Sequence, residues 1–168
     1  VSYDGAFGFV GLYIVQSGRR GQGYGMPLWQ RAMARLAGHN IGLDGVIAQQ
    51  DNYRKPGFAL AYRNIRYQGQ GGGDAPDLRE LVALPSVEVV ADYERGLFPA
   101  PRAAFLRAWL TLPESHGAAY VDHEKWHGYG VARRCRVGWK VGPLFADSPD
   151  VAEALLASLA AKNLFTIS

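Results

Sequence analysis

At 168 residues with 48% apolar content, the chain is long enough for one substantial core or two small ones, and its composition is that of a globular protein. A single cysteine, Cys135, excludes an internal disulfide, and no apolar run is long enough to cross a bilayer as a helix. The formal charge of +3 is uneven: residues 1–70 carry eight Lys/Arg against three Asp/Glu, and residues 71–168 carry ten against twelve. No basic stripe with interleaved aromatics accompanies the positive half, so a phosphorylated small molecule is expected there and nucleic acid is not. The sequence opens at Val1 without a charged-then-apolar leader, and its cysteine usage suits a reducing compartment, so the expectation is a cytoplasmic protein with no membrane partner.

In chain order, residues 7–15 read as an apolar strand. It runs into the glycine-rich basic turn Ser17-Gly18-Arg19-Arg20-Gly21-Gln22-Gly23-Tyr24-Gly25, and a helix is predicted over 24–38. A helix start exposes unpaired N–H groups at the positive end of its dipole. Glycines allow close approach of that backbone, and the two arginines add charge, so the turn is a candidate phosphate cradle. The spacing fits neither G-x-G-x-x-G, because Met26 stands where the third glycine belongs, nor the Walker pattern, because no glycine is followed by Lys and then Ser or Thr. What the turn does contain is Arg20-x-x-Gly23-x-Gly25. A strand at 41–48, a short helix at 49–56 carrying Tyr53-Arg54-Lys55-Pro56-Gly57-Phe58, and a strand at 59–67 are expected next.

The glycine-rich stretch 68–76 reads as a flexible connection. Beyond it the pattern predicts a short helix near 78–84, a strand at 87–93, a helix over 101–110 with Pro101 at its start, and strands at 117–122, 130–138 and 138–145. A helix capped by Ser148 with Pro149 in first position follows, then a strand at 164–167. His123-Glu124-Lys125-Trp126-His127 spells H-E-x-x-H, which on a helix would hold zinc with the glutamate as general base. Strand-like residues flank it and Gly128 follows at once, so a hairpin tip is expected instead, and a zinc hydrolase is the remote alternative.

The order strand, R-x-x-G-x-G, helix, strand, Y-x-x-x-G-F, strand resembles the GNAT superfamily of acyl-CoA N-acyltransferases over residues 7–67. The second part resembles, more weakly, the C-terminal domain of bacterial tandem GNAT proteins, with Asp147 and Asp150 where the cofactor loop would lie. The resemblance implies an α/β fold with a mixed α+β sheet. It implies three regions: the C-terminal portion of an acetyl-CoA-binding domain at 1–67, a linker at 68–77, and the N-terminal portion of a degenerate second domain at 78–168.

The implied reaction is transfer of an acetyl group from acetyl-CoA to a small-molecule or peptide amine by direct attack, with no metal. The cofactor-binding residues implied are Tyr13, Ile14, Val15, Arg20, Gly21, Gln22, Gly23, Tyr24, Gly25 and Asn52, and Tyr53 takes the place of the general acid. Asp44 and Asp51 are the nearby candidates for a base, beside a water chain. Trp29 and Met33 read as packing residues of the helix. A non-catalytic acyl-CoA-binding module is the alternative, and a homodimer is compatible with the sequence.

Overall fold

The computed structural model describes residues 1–74 and 76–161, and the backbone of 166–167. The chain divides into two compact units: residues 1–63 with 98–101, and residues 64–97 with 102–168. Both combine helices with sheets, as an α/β reading requires.

The first unit is built on a three-stranded sheet in the order β1 (Ser2–Tyr3), β2 (Phe7–Val10), β3 (Asn40–Leu43). β2 and β3 run parallel, Phe7 opposite Asn40 through Val10 opposite Leu43, joined by helix α1 (Gly25–Arg35). Gly8 is a point of close packing: a Cβ there would lie 2.8 Å from Leu36 Cδ2, and Leu36 is buried. On the same unit Phe98 stands edge-on to Tyr3 and Phe7. Helix α2 (Gln50–Arg54) follows a single 3-10 turn at Ile47–Gln49.

The second unit is built on a six-stranded sheet. Its strands are β4 (Gly69–Gln70), β5 (Leu81–Ala83), β6 (Ser115–Asp122), β7 (Lys125–Arg134), β8 (Trp139–Ala146) and β9 (Thr166–Ile167), and they lie in the order β4-β9-β8-β7-β6-β5. Strands β5 to β8 form antiparallel neighbours, and β8 meets β9 in parallel. Helices α3 (Val87–Glu94) and α4 (Ala103–Leu110) pack on one face around Val90, Leu106, Ala119, Tyr129 and Val131. Helix α5 (Pro149–Ala161) closes the other face through Val151, Leu155 and Leu159 against Ala118 and Ala132.

Glycine in β7 permits that close approach. A Cβ at Gly128 would fall 2.6 Å from the Phe145 carbonyl oxygen and 3.0 Å from Leu155 Cδ1 and Val151 Cγ1. Gly128→Ala is therefore expected to cost about 1–3 kcal/mol through overpacking, read as a lower midpoint in thermal or urea unfolding.

Several sequence expectations are corrected. Residues 87–93 form helix α3 and not a strand. Ser86 stands in an extended conformation at its start, and Val87, Val90, Ala91 and Glu94 then share a buried face at helical spacing, which outweighs the β preference of the valines. Residues 81–83 pair with β6 as a strand where a helix was expected, and residues 59–67 belong to no strand. The first long strand pairs only over Phe7–Val10, because β3 ends at Leu43. Of the expected strand at 164–167, Leu164 and Phe165 lie outside the described residues.

Candidate functional site

The chain leaves β2 and runs through residues 11–16 without regular pairing, then makes a 3-10 turn at Ser17–Arg19 and enters α1 at Gly25. Two side chains brace this loop internally. Arg20 Nε donates to the Val15 carbonyl at 3.0 Å, and Gln22 Nε2 donates to the Gly18 carbonyl at 3.0 Å. Arg20 uses its Nε in that bond, so its terminal guanidinium nitrogens remain for a second acceptor.

Gly21 and Gly23 have φ of 77° and 86°, the left-handed region that glycine reaches without a steric penalty. A Cβ at Gly18, Gly21 or Gly23 would meet nothing within 4 Å, so one side of the loop is open space. Gly25 has a different reason: a Cβ there would lie 2.8 Å from the Tyr13 hydroxyl. Tyr13 thus lies against the first residue of α1.

Helix α1 starts with no side-chain cap from Tyr24 and no acid in its first turn. Among the described residues, neither a side-chain cap at Tyr24 nor a first-turn acid offsets its first N–H groups and its positive dipole end. A shallow, open hollow of about 420 Å³ adjoins the loop, lined by Ile14, Val15, Gln16, Arg19, Tyr24 and Leu28.

Tyr53 lies on α2. Its ring reaches Trp29 of α1 at 6.1 Å between centroids, and Trp29 in turn meets Tyr13 at 5.5 Å and Phe58 at 5.8 Å. The structure therefore joins Tyr13, Gly25 and Tyr53 through one aromatic group. Asn52 is engaged on α2 itself: its Nδ2 donates to Gln49 Oε1 at 2.7 Å, and its Oδ1 accepts from Lys55 Nζ at 3.2 Å. Asp51 is paired with Arg54 at 3.1 Å. Trp29 as the hub and Gly45 beneath Tyr53 escaped the sequence reading; a glycine closing a strand is the one signal that marks such a close approach.

The corresponding loop of the second unit, between β8 and α5, is chemically opposite. Ser148 Oγ accepts the Val151 N–H at 3.3 Å, and Asp150 lies in the first helical turn. Asp147 accepts the Tyr93 hydroxyl at 2.9 Å and stands 3.3 Å from His127 Nδ1. This helix start is satisfied by its own residues and carries negative charge.

The H-E-x-x-H stretch is not helical. His123 and Glu124 have φ of 46° and 63° and form the two-residue turn between β6 and β7, the geometry of a type I′ hairpin. His127 lies inside β7, so the two histidines share no helical face. Among the described residues no group of three or more His, Cys, Asp or Glu side chains is arranged to hold a metal. Nor is any described helix long and apolar enough to cross a membrane.

Residues 90–166 match the family described as an acetyltransferase (GNAT) domain, a span that lies in the second unit except for residues 98–101. The chain is 31% identical over 159 residues to Holothin acyltransferase of Pseudoalteromonas sp. (strain SANK 73390), covering 94% of this chain and 54% of that protein. It is 30% identical over 165 residues to Uncharacterized protein F36G3.2 of Caenorhabditis elegans, covering 88% of this chain and 53% of that protein. The chain thus spans about half the length of these curated relatives. Its fold is similar to that of the Pyrococcus horikoshii "Putative Acetyltransferase", with a TM-score of 0.68 at 23% identity over 95% of this chain and 55% of that one.

Proposed function

The chain belongs to the GNAT acyltransferase superfamily, and on that premise we propose that its first unit binds acetyl-CoA and supports transfer of the acetyl group to an amine. The observation that carries this reading is the contrast between the two helix starts. The one at Gly25 is uncapped, free of acids and preceded by glycines facing open space, whereas the one at Pro149 is capped and acidic.

Acetyl-CoA supplies an activated thioester whose carbonyl carbon the amine attacks, with the CoA sulfur as leaving group. The residues of this chain have three roles. The backbone N–H groups of residues 21–25, with Arg20, hold the pyrophosphate, and the dipole of α1 favours its charge. Tyr13, Ile14 and Val15 lie outside any strand ladder, and their backbone groups other than the Val15 carbonyl, which Arg20 engages, pair with the pantetheine arm, with one N–H polarising the thioester carbonyl. Tyr53 donates a proton to the departing sulfur and regains it from solvent. Asn52 serves the pantetheine arm only if it exchanges its bonds to Gln49 and Lys55. Asp51 is held by Arg54, which leaves deprotonation of the amine to water or to another part of a longer polypeptide.

Two measurements test this. Calorimetry should show acetyl-CoA binding at one site per chain, because the α5 start repels anions, and Arg20→Glu should abolish that single event; two equivalent sites would overturn the assignment. Tyr53→Phe should lower turnover by about 100-fold, the scale of a lost general acid, with little change in acetyl-CoA affinity. Binding without turnover over a broad amine panel, unchanged by Tyr53→Phe, would instead favour a non-catalytic acyl-CoA module.

A further inference from the structure

We propose that Gly45 and Trp29 together form a packing clamp that aims the Tyr53 ring, making both of them positioning residues for the proton donor. This rests on the reading of Tyr53 given above. Tyr53 sits on a five-residue helix, too short to hold an orientation by itself. The side-chain bonds on that helix, Asp51 to Arg54 and Asn52 to Gln49 and Lys55, run along its surface and leave the Tyr53 side chain out. The phenol has no hydrogen-bond partner among the described residues, so packing alone sets its direction.

That packing is close on one side. A Cβ at Gly45 would fall 2.6 Å from Tyr53 Cε2 and 2.8 Å from Cδ2, so the ring rests directly on the Gly45 backbone. The ring also meets the Trp29 indole, 6.1 Å away between centroids and tilted by 37°. The indole is itself fixed edge-on by Tyr13 and Phe58, at interplanar angles of 65° and 63°. Tyr13 ends against Gly25 at the mouth of the cradle. The contacts Gly25, Tyr13, Trp29, Tyr53, Gly45 thus form a continuous series from the phosphate end to the donor. Displacing a reacting group by about 1 Å can cost about 100-fold in rate, so a clamp of this kind acts on chemistry and leaves the cofactor grip alone.

The test labels the full chain with 3-fluorotyrosine and follows Tyr53 by fluorine NMR, its signal among the nine tyrosines assigned with Tyr53→Phe. In the parent protein, acetyl-CoA should shift the Tyr53 resonance. In Gly45→Ala the added methyl must push the ring away, while acetyl-CoA affinity by calorimetry stays within about twofold. The ligand-induced shift of Tyr53 should then be largely lost. Trp29→Leu should lose it as well, and Trp29→Phe should restore most of it; this pair decides the matter if Gly45→Ala fails to fold. A parent-like Tyr53 response in Gly45→Ala and Trp29→Leu would overturn the clamp. If acetyl-CoA binds the parent and Tyr53 does not respond, the donor role falls and the clamp with it. If acetyl-CoA does not bind the parent at all, the cradle reading itself fails.

Discussion

Glu94→Ala is expected to destabilise the second unit by about 3–5 kcal/mol, the cost of leaving a buried ion without its partner. Glu94 is only 3% exposed, at the end of α3. Arg102, just before α4, grips it with two nitrogens, Nε to Oε2 at 2.6 Å and a second bond to Oε1. The wholly buried Tyr129 hydroxyl donates to the same Oε1. The Arg102 guanidinium also lies over the Phe105 ring, 4.9 Å from its centroid.

Removing the carboxylate takes away the two bonds it accepts from Arg102 and the one from the buried Tyr129 hydroxyl, so the loss exceeds that of one hydrogen bond. Replacing all three, as Glu94→Leu with Arg102→Met and Tyr129→Phe, should recover most of the loss, because the whole polar group is then gone. Chemical denaturation of the single and triple variants checks this. A single variant within about 1 kcal/mol of the parent would show that the group is hydrated in solution.

Burial first, and then the Glu94 carboxylate, hold the Tyr129 phenol well above the ordinary tyrosine value. Its contribution is accordingly complete below about pH 10 and is lost only as the pH rises through the folded-state value.

Gly23→Trp is expected to reduce acetyl-CoA affinity by at least about 100-fold, the equivalent of two charge-assisted hydrogen bonds of about 1.5 kcal/mol each. The position separates binding from folding. A Cβ there meets no protein atom within 4 Å, so the side chain starts on the open side of the loop. The φ of 86° adds a local penalty of about 1–2 kcal/mol for any residue with a side chain. Gly23→Ala carries that same penalty with little bulk and should retain affinity within about tenfold, which makes it the control for strain. Calorimetry on both, with thermal unfolding alongside, separates the two effects. Equal losses in the two variants would mean that backbone shape, and not access, governs the site.

Local signals carried much of this protein. Arg20-x-x-Gly23-x-Gly25 foretold a loop entering a helix, and helix α1 begins at Gly25. Ser148-Pro149 foretold the capped start of α5, which the Ser148 bond to the Val151 N–H bears out. The H-E-x-x-H stretch foretold a hairpin tip over 122–128; the turn is His123-Glu124 alone, both in the left-handed conformation, and Lys125 to His127 already belong to β7. These features are set by φ preferences and by caps within a few residues, so the sequence reports them directly.

The errors fall where distant partners decide. Val87 to Tyr93 has the β-branched content of a strand, yet it coils because Glu94 one step further on must meet Arg102 and Tyr129. Residues 59–67 are expected as a strand and belong to none, because a strand forms only where a neighbouring ladder supplies hydrogen bonds.

The sequence by itself determined the glycine-rich loop, its arginine and the helix start on which the proposed phosphate cradle rests, because all of them are adjacent in the chain. Only the tertiary structure decided what surrounds Tyr53. Trp29 and Gly45 meet it from separate segments, with Phe58 behind the indole, and no local pattern encodes the packing of rings brought together by the fold.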